Sequence, residues 1–168
     1  MPNNIPVGVA AVICSVIVVF ERGIIAIHNT RLGPALGGTR LWRYTDDIEA
    51  LTDVLRLARG MTYKNALAGL PLGGGKSIIF LPESIPDREK LFRAHGRFVE
   101  TLGGSYITAE DVATTTADMG FVSLETKHVF GLAERSGNPA PVTAHGIFRA
   151  IVASAKYRWS SEKVSGDL

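Results

Sequence analysis

Cysteine is nearly missing from this chain: Cys14 is the single one, which excludes an intramolecular disulfide and the disulfide-stapled secreted folds. Charge of one sign is missing too. The formal net charge is +2 and no Lys/Arg run concentrates it, which excludes an electrostatic nucleic-acid binder. The histidines His28, His95, His128 and His145 have no metal-ligand spacing, so no metal is expected. No recognisable serine or cysteine nucleophile pattern occurs. From Ile5 to Phe20 there is no charged residue, yet this run falls short of the roughly 20 residues that span a bilayer. No Lys or Arg precedes it, as an export signal requires. Its Val and Ile density reads as buried strand, with Cys14 an inert buried thiol. The expected compartment is a reducing cytoplasm, with no membrane partner.

What remains is enough chain for one domain with a hydrophobic core. Gly23 to His28 reads as a strand. Asn29 to Thr39, with Gly33, Pro34, Gly37 and Gly38, reads as a loop. Thr45-Asp46-Asp47 looks like a helix start, and Ile48, Leu51, Leu55 and Ala58 follow at helical spacing up to a close at Arg59-Gly60. Ser77 to Leu81 reads as a strand stopped by Pro82. Pro86-Asp87 opens a second helix, with Leu91, Phe98 and Leu102 on one face and Gly103-Gly104 at its end. Ser105 to Thr108 is a short strand, and helical patterns cover Thr115 to Leu124 and Thr143 to Arg158. Strands alternating with helices predict an α/β fold: a three-layer open sheet, mostly parallel, flanked by helices. Residues 1–150 form the predicted domain, and residues 151–168 the end of a linking helix and a polar linker.

The most informative segment is Met61 to Ser77, which holds Lys64, the triplet Gly73-Gly74-Gly75, and Lys76. A glycine triplet marks a place where something approaches the main chain closely. Gly-Lys-Ser is the ending of a phosphate-binding loop, but that motif needs glycine where Leu70 stands, and it follows a strand rather than preceding one. An amine or carboxylate site fits better. Two lysines near each other and partly desolvated lower each other's pKa. Bringing one from about 10.4 toward 7 to 8 takes about 3 to 4 kcal/mol. One lysine then serves as a base while the other stays charged and binds a carboxylate; the spacing does not say which. Asp111, after a short strand in Thr108-Ala109-Glu110-Asp111, is the natural third member. No Gly-x-Gly-x-x-Gly occurs anywhere in the chain.

Leu32 to Arg40, Met61 to Lys64, Leu72 to Lys76, Thr108 to Asp111 and Gly137 to Thr143 together resemble the leucine, valine and phenylalanine dehydrogenases, NAD-dependent enzymes related to glutamate dehydrogenase. The resemblance runs from about Gly23 to Arg149 and covers that family's N-terminal, substrate-binding and oligomerising domain. It implies oxidative deamination of an L-amino acid to the 2-oxo acid and a homo-oligomer. It also implies roles. Lys64 would bind the substrate carboxylate, Lys76 would activate water, and Asp111 would be the acid/base residue. Leu36, Gly37, Gly38 and Met61 would line the side-chain pocket, and Thr143 would touch the nicotinamide end of NAD. An apolar lining of Leu36 and Met61 disfavours glutamate and favours branched-chain or aromatic substrates. The family's nucleotide-binding Rossmann domain is not within these residues, so the chain alone is expected to show no dehydrogenase turnover. The alternative is a non-catalytic amino-acid-binding or oligomerisation module.

Overall fold

The computed structural model describes residues 11–14, 22–85, 87–132 and 140–164. Of the apolar run Ile5–Phe20 only Ala11–Cys14 falls among them, and the Cys14 side chain does not. In chain order the elements are β1 (Ala11–Cys14), β2 (Gly23–Asn29), β3 (Ala35–Trp42), α1 (Asp47–Leu67), β4 (Gly73–Phe80), α2 (Arg88–Glu100), β5 (Tyr106–Glu110), α3 (Thr116–Ser123) and α4 (Ala140–Trp159). One sheet holds the strands in the order β1-β2-β4-β3-β5. Strand β3 pairs parallel with both β4 and β5, whereas β2 pairs antiparallel with β1 and β4. All strands but β2 therefore run in one direction. Among the described residues no helix is long and apolar enough to cross a membrane.

Each face of the sheet carries its own core, which makes the three layers. Strand alternation sends Ile24, Ala26 and Ile78 to one face, against Ala50, Val54 and Ala58 of α1. The other face presents Leu41 and Ile79 to Leu91 and Phe92 of α2 and to Met119 and Val122 of α3. Ile25 and Ile27 pack there with Val99 and Tyr106. Each fully buried Ile or Phe contributes about 1.5–3 kcal/mol, so the two sandwiches fix the sheet rigidly beneath the helices.

Local chemistry sets the boundaries. Asp46 caps α1 by accepting from the Glu49 N–H at 2.8 Å. Asp87 caps α2 through the Lys90 N–H. Thr115 and Asp118 form a reciprocal capping box at α3. Beyond α2, Gly103 and Gly104 take the positive φ that turns the chain into β5.

Three expectations differ from the structure, each because of glycine. The segment read as a loop from Asn29 to Thr39 enters β3 at Ala35 and passes through Gly37 and Gly38 as strand. The triplet Gly73–Gly75 is the first part of β4, not a loop. Helix α1 does not close at Arg59-Gly60 but continues to Leu67. Gly60 lies on its exposed side, and a Cβ there would meet nothing within 4 Å, so its cost is only the modest propensity loss of about 1 kcal/mol.

Candidate active site

Helix α1 lies directly over β4 because Gly74 has no side chain. A Cβ there would stand 2.1 Å from the Thr62 backbone nitrogen. Asn65, buried, clamps the same approach by donating from Nδ2 to the Gly73 carbonyl at 2.6 Å. The last turn of α1 thereby delivers Lys64 beside the sheet, and β4 delivers Lys76 three residues after its start. Gly38 plays the same part at β5: a Cβ on it would be 2.7 Å from Cβ of Asp111. The bare backbone of β3 lets Asp111 settle against the strand.

Lys76 is 4% exposed and its Nζ lies 2.9 Å from Oδ1 of Asp111. The second carboxylate oxygen, Oδ2, accepts from Nε of Arg40 at 3.2 Å. The Asp111 backbone N–H donates to Oγ1 of Thr114, which itself donates to the Thr39 carbonyl. Burial lowers the Lys76 ammonium below the ordinary lysine value; Asp111 opposes this and Arg40 adds to it, with the net below ordinary. Burial pushes the Asp111 carboxyl up, but the charge and hydrogen bond of Lys76, the Val112 N–H and Arg40 together hold it below the usual carboxylate range. The second cation acting on Lys76 is Arg40, rather than Lys64 as the sequence suggested.

Lys76 and Asp111 face a cleft of about 670 Å³ between the sheet, α1 and α4. Leu36, Gly37, Gly38, Met61, Lys64, Lys76, Asp111 and Thr143 all line it, so every residue singled out from the sequence meets in one place. Lys64 is exposed, and among the described residues no carboxylate lies within ion-pair distance of it. It is available to an incoming anion. Leu36, Met61, Phe130 and Ile147 make one part of the wall apolar.

Sequence reasoning missed Asn65 and Arg40. Arg40 carried a signal, being the lone cation in a strand otherwise made of small and apolar residues (Ala35–Trp42). Asn65 carried none, because its buried position appears only once α1 continues past Gly60. Behind the site, on the opposite face of the sheet, Thr39, Ser77, Thr108 and His95 form a buried polar cluster. Oγ1 of Thr39 lies 2.6 Å from Ser77, 2.5 Å from Thr108 and 3.0 Å from Nε2 of His95.

The family model described as "Glu/Leu/Phe/Val dehydrogenase, dimerisation domain" matches residues 14–128, more than half of the chain. The leucine dehydrogenase of Geobacillus stearothermophilus is 55% identical over 148 residues, covering 86% of this chain and 40% of that protein. The valine dehydrogenase of Streptomyces virginiae is 48% identical over 149 residues, 86% of this chain and 41% of that protein. The crystal structure of L-tryptophan dehydrogenase from Nostoc punctiforme superposes with a TM-score of 0.71 at 42% identity, covering 95% of this chain and 46% of that one. The chain thus spans about two fifths of the length of the curated relatives it matches. It belongs to the Glu/Leu/Phe/Val dehydrogenase family.

Proposed function

We propose that this domain binds and deaminates an apolar L-amino acid as the substrate half of an NAD-dependent dehydrogenase. The observation that carries the reading is the pairing of buried Lys76 with partly buried Asp111 at 2.9 Å, opening on a cleft that also holds the available cation Lys64. Lys64 binds the substrate α-carboxylate, a charge-assisted contact of about 1.5–3 kcal/mol. That anchors the α-carbon over the bare glycine floor, with the side chain against Leu36 and Met61. The apolar wall offers no cation to a side-chain carboxylate, which supports a branched-chain or aromatic substrate.

The wall formed by Ala140, Thr143, Ala144 and Ile147 pairs one hydroxyl with small apolar groups, which fits the flat nicotinamide end of NAD. NAD, when bound, would supply the hydride acceptor for the α-carbon of the substrate in its amine form, the ammonium proton having first been lost to solvent. These residues contain no phosphate-binding glycine fingerprint, so Thr143 and its neighbours are assigned the nicotinamide end alone. The substrate then carries an iminium group, to which water adds. Lys76, with its depressed pKa, takes the proton from that water. Asp111, held ionised, relays that proton from Lys76 to the nitrogen; Lys76 then takes the carbinol hydroxyl proton as the C–N bond breaks, and ammonia leaves with the 2-oxo acid. Net, the substrate gives up one hydride and two protons are released, and one water oxygen becomes the new carbonyl oxygen. The dimerisation-domain match supports assembly into a homo-oligomer.

The test is Lys76→Met in the complete gene product, with NADH formation followed on L-leucine, L-valine and L-phenylalanine. Loss of a general base lowers turnover by about 10²–10⁴-fold. Near-normal turnover in a folded Lys76→Met protein overturns the reading.

A further inference from the structure

We propose that Arg40 is the positioning residue of this site: anchored on Asp53, it fixes one carboxylate oxygen of Asp111 so that the other faces Lys76. The inference rests on the acid/base reading of Lys76 and Asp111. The guanidinium spans the two carboxylates, with Nε 3.2 Å from Oδ2 of Asp111 and NH1 2.9 Å from Oδ2 of Asp53. The hydroxyl of Tyr44 donates to the same Asp53 oxygen at 2.8 Å. Three elements are thereby tied together: β3 through Arg40, α1 through Asp53, and the residue after β5 through Asp111. The side chains are sheltered, with Arg40 at 22%, Asp111 at 25% and Asp53 at 31% exposure.

The arrangement answers a problem set by the chemistry. As Lys76 cycles between ammonium and amine, Asp111 loses and regains its nearest counter-charge. With Lys76 neutral, a carboxylate in this position would take up a proton or swing toward water. Arg40 stays charged throughout the accessible pH range and is planar, so it supplies both a permanent counter-charge and a fixed direction. The same charge works on Lys76 from across Asp111 and disfavours its ammonium form. The other charged groups facing Lys76 are Asp53 on α1, Lys64 at the end of α1, and Glu110 on the cleft wall. Of these, none bonds Asp111. Beside Lys76, Arg40 is the charged side chain that touches the carboxylate, and Asp53 holds Arg40 in place.

Removing the guanidinium should therefore move both the geometry and the titration of the pair. In the complete gene product, Arg40→Met should lower kcat by about 100-fold, the cost of a misplacement near 1 Å. The amino-acid KM should change much less, because Lys64 holds the carboxylate independently. The acid limb of the kcat/KM profile, which reports loss of the proton from Lys76, should move to higher pH. Arg40→Lys keeps the charge but not the fork, so it should restore the limb while recovering only part of kcat. Asp53→Asn frees Arg40 but also removes a carboxylate that favours the Lys76 ammonium, so it should lower kcat with little change in KM and should not move the limb to higher pH; it serves if Arg40→Met does not fold. An unmoved limb in Arg40→Met, or, if that variant does not fold, an unchanged kcat in Asp53→Asn, with Lys76→Met inactive, overturns the assignment of Arg40 alone. Turnover retained by Lys76→Met overturns the acid/base reading and the role of Arg40 with it.

Discussion

The contact between α1 and β4 at Gly74 makes a quantitative prediction, because the same substitution at two glycines of this chain should act with opposite sign. In Gly74→Ala the added Cβ stands 2.1 Å from the Thr62 nitrogen and 2.5 Å from its Cα. Carbon contacts are comfortable near 3.5 Å, so the helix and strand must part by roughly 1.4 Å. The obstacle is backbone, which cannot rotate aside. Overpacking then costs toward the upper end of about 1–3 kcal/mol. The alanine returns about 0.4–1 kcal/mol by restricting the unfolded chain. The net is a loss of about 2 kcal/mol. Gly60→Ala lies in the exposed interior of the same helix, where a Cβ meets nothing within 4 Å. Only the favourable entropy and propensity effects remain, so it should stabilise by about 0.4–1 kcal/mol. Parallel thermal melts followed by circular dichroism should rank Gly60→Ala at or above wild type and Gly74→Ala clearly below it. Lys64 sits two residues after Thr62, so Gly74→Ala should also raise the KM for the amino acid. A Gly74→Ala protein that melts at or above wild type refutes the steric reasoning.

Two further outcomes follow from the site. Asp111 has a folded pKa below its unfolded value of 3.8, so its contribution to stability is fully present above about pH 4 and is lost as pH falls through the lower, folded value. Asp111→Asn should flatten the melting temperature against pH below about pH 4, and an unchanged acid slope would count against the pair as drawn. Leu36→Ala should enlarge the apolar wall and favour bulkier side chains. Each methylene of misfit is worth about 1–3 kcal/mol, so the ratio of kcat/KM for phenylalanine over valine should rise by 10-fold or more.

The alternation of strands and helices, the helix starts near Asp46, Asp87 and Thr115, and the turn at Gly103-Gly104 are legible in the sequence because each has a local cause within a few residues. The glycine-rich strands were not. Glycine is the commonest turn signal, and nothing near Gly37 or Gly73 announces that a backbone from elsewhere occupies the missing side chain's place. That information lies in the pairing of β3 with β4 and in the descent of α1, both long-range. Helix α1 was cut short for the same reason: Gly60 looks like a stop when only neighbours are considered. Lys64, Lys76 and Asp111 could be named from residue type and motif, whereas Arg40 and Asn65 act through partners distant in sequence. The cation lowering the Lys76 pKa was accordingly assigned to Lys64, when the structure supplies Arg40.

The bare strands that floor the cleft have a consequence for how such a domain changes over time. Its chemical groups stand on main chain packed against main chain; a Cβ on Gly37 would fall 1.7 Å from the Gly75 carbonyl oxygen. Substitution there is closed to drift. The wall residues Leu36, Met61 and Ile147 come from β3, α1 and α4, and each can vary in size without disturbing that floor. On the proposed function, a fixed floor with separately replaceable walls would let selection alter the side chain accepted while leaving the chemistry alone. Relatives named for leucine, valine and tryptophan are what such a division of labour would produce.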